Sequence, residues 1–184
     1  MIFLGRRRSI RIAADLAYRM VVEQARHGAF FTEWGVPDTP DGRFELICLH
    51  AFFYLHRLKS ERPRSARLGQ RFFDTMFAEL DRALRESGIG DLRVGKEVKR
   101  MAQGFYGRIR AYEAGLAAGD SVLGAAIARN LLGTVGGEAR PTAAIVDYVR
   151  ATTAALARQS SAELLAGRVR FDPPAIRAAP MVVR

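Results

Sequence analysis

The side chains best able to do chemistry in this chain are few: His27, His50 and His56, one cysteine at Cys48, and two stripes of charge. No two histidines stand four residues apart, and none belongs to a His-Glu-x-x-His pattern, the spacing that turns two imidazoles toward one metal from a single helix face. His50 and His56 differ by six residues and point to different faces of their helix, so no metal site is expected. Cys48 falls among Phe44, Ile47, Ala51 and Phe52, where a thiol reads as a small core hydrophobe rather than a nucleophile. There is no Walker-type loop and no Gly-x-Ser-x-Gly elbow. The glycines of Gly133 to Gly137 follow a helical pattern rather than a strand, which does not suit a dinucleotide site. The pattern predicts a protein that binds a partner and catalyses nothing, with no catalytic residue, cofactor or metal.

The charge stripes leave two readings open. Arg43, His50 and Arg57 recur along one helix, and Asp74, Asp81 and Arg85 along the next. Either they pair across the helix interface and offset the cost of burying charge, or they line a polar groove. In the second case a His50, Asp74 and Asp81 groove would suit an enzyme or binding protein for a hydrophobic small molecule. On a later helix Lys96, Lys99, Arg100, Arg108 and Arg110 form either a solvated face or a binding face.

Composition narrows the partner. The chain has 184 residues, 49% hydrophobic and 26% charged, a globular balance with length enough for one real core. Its net charge of +10 is carried mostly by arginine, with lysine only at Lys59, Lys96 and Lys99. Such an excess points to an acidic partner: nucleic acid, an anionic membrane surface or an acidic protein patch. No helix-turn-helix or zinc-finger spacing supports DNA, so the nucleic-acid alternative is a basic ribosome- or RNA-binding module. Arg6, Arg7 and Arg8 are the candidate membrane or ribosome contact. A lone cysteine excludes an intrachain disulfide, no stretch reaches a membrane span, and the start lacks the order of a secretory signal. A bacterial cytoplasmic protein, peripheral at the inner face of the inner membrane, is the expectation.

Helical periodicity supplies the elements that must hold these residues. The spacing predicts helices over about Ile12–Arg26, Arg43–Lys59, Leu68–Ser87, Leu92–Ala118, Asp120–Leu132 and from Pro141, with a short last helix ending at Gly167. Ala29 to Gly42 reads as a loop pinned by Phe30, Phe31 and Trp34. Asp91 reads as an N-cap, and Ser160-Ser-Ala-Glu163 as a capping box. Gly104, Gly107 and Ala111 form a small-residue strip that would let another backbone approach. The segment after Arg43 is apolar nearly all round, which marks a central helix. The expected fold is all-α, a single-domain bundle of about six to seven helices over residues 12–171, with a basic arm at 1–11 and a loose tail at 172–184.

Three segments together resemble the ubiquinol–cytochrome c chaperone family. They are Gly35-Val-Pro-Asp-Thr-Pro-Asp-Gly-Arg-Phe44 with Leu49-His50 and Arg57-Leu58, then Phe73-Asp-Thr-Met-Phe77 with Asp81 and Leu84-Arg85-Glu86. The third is Gly88-Ile-Gly-Asp-Leu-Arg-Val-Gly-Lys96 with Val98-Lys99, Met101-Ala102 and Phe105-Tyr-Gly-Arg108. Arg129-Asn130 is a further match, and the likeness runs from about Tyr18 to Phe171. The resemblance implies a helical assembly chaperone without enzymatic activity, whose client is newly made cytochrome b of the cytochrome bc1 complex. In mitochondria it implies a small helical partner protein and contact with the ribosome near its exit tunnel. The candidate client- or partner-binding residues are Asp38, Asp41, Arg43, His50, Asp74, Asp81, Lys96, Lys99, Arg100, Tyr106, Gly107 and Arg108.

Overall fold

A helix that is apolar on every side has to be surrounded, and the segment Phe44 to Leu58 is. In the computed structural model, which describes residues 2–133 and 142–174, Leu46, Leu49, Phe52, Phe53 and Tyr54 of this segment are all shielded from solvent. Helices α1 (Ile2–Ala25), α2 (Ala29–Thr32), α3 (Pro40–Lys59) and α4 (Ala66–Glu86) come first in the chain. They are followed by α5 (Asp91–Ala118), α6 (Asp120–Leu131), α7 (Thr142–Arg158) and α8 (Ser161–Leu165). The fold is all-α, with no strand among the described residues. Central α3 packs against α1, α4, α5, α6 and α7, while α1 lies along α4, α5 along α6, and α6 along α7.

Several boundaries differ from the periodicity reading, each for a local reason. Helix α1 starts at Ile2 rather than near Ile12, so the basic segment continues the helix; arginine is a good helix former, and no proline interrupts it. Within the expected loop, Ala29–Thr32 closes one helical turn, and buried Phe30 and Trp34 pin it to the core. Helix α3 opens at Pro40, not Arg43, because proline suits the first helical position. The Thr39 hydroxyl accepts from the Gly42 amide at 3.2 Å. Gly42 is required there, since a Cβ would sit 2.0 Å from the Pro37 carbonyl oxygen.

Asp91 does not cap α5: Gly90 occupies that position, and the Asp91 carboxylate pairs with Arg85 of α4 instead. The expected capping box at α8 does not form either, because Glu163 is drawn to Arg170 at 2.8 Å and Ser160 makes no side-chain cap. Gly167, at φ +79°, turns the chain so tightly onto α1 that a Cβ would meet the Ala13 carbonyl oxygen at 2.0 Å. The expected first turn at Pro141, the loop Thr134 to Gly137 and the end of the tail from Ala175 lie outside the described residues.

Candidate functional site

His50 is the best-placed titratable group in the interior. Its Nδ1 lies 2.7 Å from the Leu46 carbonyl oxygen, so that nitrogen carries the proton and donates. Its Nε2, 2.8 Å from the Tyr148 hydroxyl, then accepts from the phenol of α7. Tyr148 in turn accepts from Gln24 of α1 at 3.0 Å, and Gln24 also donates to the Asp172 carbonyl oxygen at 2.9 Å. Phe30, Phe53 and Phe171 pack around the imidazole with ring centroids 5.2 to 5.7 Å away. Burial drives the His50 pKa down to about 4 and pushes Tyr148 up to about 12. Burial likewise pushes the Cys48 thiol well above its ordinary range, as fits a core hydrophobe. These are the bonds of a structural knot that ties α1, α3, α7 and the 171–174 segment together.

Neither reading of the charge stripes survives as stated: they do not pair with one another, and they do not line a common groove. Arg43 pairs with Asp38 at 2.6 Å on the surface, and the bond holds the Asp38 carboxyl below the usual carboxylate range. Arg57 instead reaches the end of α7, donating to the Leu156 and Gln159 carbonyl oxygens at 3.1 and 3.3 Å while pairing with Glu61 at 2.8 Å. Asp74 is exposed and accepts from Gln70, one turn away on its own helix. Asp81 pairs with Arg85, which holds its carboxyl below the usual range. With His50 sealed inside and both aspartates facing outward on α4, the small-molecule groove expected from them does not exist.

The exposed side of α5 gathers more of the candidate residues. Asp41, Arg100 and Arg108 border a cleft of about 210 Å³ between the start of α3 and the middle of α5. Its wall is the buried Glu45 carboxylate, which accepts from both Nε (2.5 Å) and Nη2 of Arg108. Burial raises the Glu45 pKa, and the guanidinium acts in the opposite direction. One turn further, Tyr106, 51% exposed, stacks on Phe73 at 5.2 Å and borders an apolar groove of about 270 Å³ between α3, α4 and α5. Arg100 pairs with Glu97, whereas Lys96 and Lys99 stand exposed with no described carboxylate in ion-pair range.

Among the described residues no backbone approaches Gly104 or Gly107 of the small-residue strip. A Cβ on Gly104 would strike the Arg108 guanidinium at 2.6 Å, and one on Gly107 would meet nothing within 4 Å. The close helix approach occurs instead at Gly115, where a Cβ would lie 2.6 Å from the Leu123 Cα of α6. Arg7 and Arg8 are exposed on the first turns of α1; the Arg6 side chain lies outside the described set. The sequence reading missed Glu45, Tyr148 and Gln24. Tyr148 lies 98 residues from His50, so no local spacing announces the bond.

Comparison with known proteins identifies the family and the fold. The family model described as Ubiquinol-cytochrome C chaperone matches residues 32–171, which span α3 to α8 and Phe171. The Xenopus laevis ubiquinol-cytochrome-c reductase complex assembly factor 1 is 29% identical over 141 residues, covering 77% of this chain and 70% of the frog protein. Its Mus musculus counterpart is 28% identical over 165 residues, and the chain spans 56% of the mouse protein's length. The crystal structure of the Cbp3 homolog from Brucella abortus superimposes with a TM-score of 0.80 at 37% identity, covering 94% of this chain and 97% of that one. The chain belongs to the ubiquinol–cytochrome c chaperone family.

Proposed function

We propose that this protein is an assembly chaperone of the cytochrome bc1 complex that holds newly made cytochrome b, using the exposed side of α5. The observation that carries the reading is that α5 borders two depressions, a polar one with Asp41, Arg100 and Arg108 and an apolar one with Tyr106. A client with apolar segments and charged loops needs that combination: an aromatic edge to grip and fixed charges to orient. Lys96 and Lys99 extend the same face with free positive charge. Asp38, Arg43, Asp74 and Asp81 border neither depression and are held by short-range bonds, and His50 is sealed in the core, so the grip falls on Asp41 and the residues of α5.

On the same reading the protein works at the cytoplasmic face of the inner membrane, with Arg6, Arg7 and Arg8 meeting anionic lipid or the ribosome as the client emerges. No helix of the described residues is long and apolar enough to cross a membrane. A basic residue near an anionic bilayer contributes on the order of 1 kcal/mol.

Removing the gene is the test. Assembled bc1 complex should fall while cytochrome b transcript stays constant, and photo-crosslinks from position 106 should reach newly made cytochrome b. Normal bc1 levels in a clean deletion would overturn the proposal.

A further inference from the structure

A large open depression lies away from α5, along the seam between α1 and α4, and has a volume of about 1050 Å³. Its floor is apolar: Val22, Ala78 and Ile12, the last 54% exposed. Its rims carry guanidinium groups, Arg11 and Arg19 on α1 and Arg26 just past its end, facing Arg71 on α4, and none of these four pairs with a described carboxylate. Five arginines, with Arg82 the fifth, outnumber the three carboxylates that line the groove, Asp15, Glu23 and Glu79, and of these Glu23 is exposed on α1. Asp15 accepts from Thr75 at 3.1 Å across the two helices, and Glu79 pairs with Arg82. From Arg11 to the last α1 residue, Ala25, the rim runs about 21 Å, the length of roughly four helical turns.

We propose that this groove receives an acidic amphipathic helix presented by another protein. Such a helix would lay its apolar stripe on Ile12, Val22 and Ala78 and turn its carboxylates to the arginine rims, the helix-in-groove mode of recognition. Two other anionic occupants fit less well. The one aromatic side chain that lines the depression, Tyr18, is half-buried and already packs at a steep angle against Phe72 at 6.3 Å, whereas binding bases takes a series of open aromatic faces. A bilayer presents a flat surface, whereas this apolar floor is concave. The inference stands on the groove alone and not on the cytochrome b reading, so either can fail without the other.

The test uses the full chain in its own cells, with a photo-reactive benzoylphenylalanine at Val22 or Ala78 and, as control, at Leu92, which is 91% exposed on α5. The captured segment is identified by mass spectrometry, synthesised, and titrated against the protein by fluorescence anisotropy. The expected segment has apolar residues at helical spacing and a net negative charge. Its affinity should fall at least tenfold with Arg19→Glu plus Arg71→Glu, and by a smaller factor with the neutral pair Arg19→Gln plus Arg71→Gln. Circular dichroism checks that both variants fold; if the charge reversal does not, the neutral pair decides. A basic or uncharged segment, an RNA or lipid adduct lost in the same variants, or no adduct beyond the Leu92 control would each overturn the proposal.

Discussion

Arg108→Ala isolates the one ion pair among the described residues that is both buried and long-range. Glu45 and Arg108 keep only 12% and 21% of their side-chain surface exposed, and they join α3 to α5 across 63 residues of sequence. Removing the guanidinium strands a carboxylate inside the protein, a change that costs about 3–5 kcal/mol. For a chain of this length that is a fall of about 10 °C in Tm. The pH dependence gives the cause. Burial already holds the Glu45 pKa above its ordinary 4.5. Between the ordinary value and the raised one, the folded state keeps a proton that the unfolded chain has released, so stability falls as pH rises through that window. Without Arg108 the window extends upward, and the deficit of the variant should be largest near neutrality and above. It should shrink toward about pH 5, by up to about 1.4 kcal/mol per pH unit. Urea unfolding followed by circular dichroism at several pH values measures this. The double variant Glu45→Leu with Arg108→Met, which removes both charges and fills the space, should return most of the loss. A deficit for Arg108→Ala below about 1 kcal/mol, the range of exposed pairs, or one independent of pH, would refute the reasoning.

The His50 knot predicts acid sensitivity of the opposite sign. With its folded pKa lowered from 6.5 to about 4, the histidine contributes stability that is complete above 6.5 and lost as pH falls toward 4. The loss is on the order of 3 kcal/mol, and His50→Gln should flatten that part of the stability curve in urea titrations. Tyr148→Phe leaves His50 Nε2 without its donor and should cost about 1–3 kcal/mol with little change in the far-ultraviolet spectrum. Two glycines of α5 separate packing from propensity. Gly115→Ala drives a methyl into the α6 backbone and should destabilise by about 1–3 kcal/mol. Gly107→Ala meets open space and should stabilise by up to about 1 kcal/mol, and thermal melts of the two variants should move in opposite directions.

The helical architecture was legible because α3 and α5 carry long, strongly periodic apolar patterns, and hydrophobic period reports burial directly. The all-round apolarity of α3 marked it as central, and the structure surrounds it on every side. What the pattern does not encode is which polar group meets which across the fold. Asp91 and Glu163 both look like capping residues in isolation, yet each is taken by an arginine, Arg85 of the preceding helix and Arg170 after α8. The Arg43–His50–Arg57 stripe reads as one surface, but its members end in three settings: a surface pair, a sealed knot and the C-terminus of α7. The glycine strip failed similarly. Interior glycines announce that something needs room, and at Gly104 that something is a side chain of the same helix rather than a neighbouring backbone.

The arginine excess can now be divided by what each guanidinium touches. Arg57 and Arg108 hold the fold, since their partners are carbonyl oxygens and a buried carboxylate that would be stranded without them, and Arg108 also borders the cleft beside α5. Arg43, Arg82, Arg85 and Arg100 are neutralised by near neighbours on the surface, where such pairs add little to stability and hold each charge in a fixed place. Arg11, Arg19, Arg26 and Arg71 pair with no carboxylate among the described residues and sit beside exposed apolar surface. A protein gains no stability from leaving like charges together along a groove, because their mutual repulsion opposes the folded state. The cost is recovered when an acidic partner arrives, since the same charges then attract it at a distance and orient it on contact. This division separates the arginines that hold the fold from those free to recognise something else.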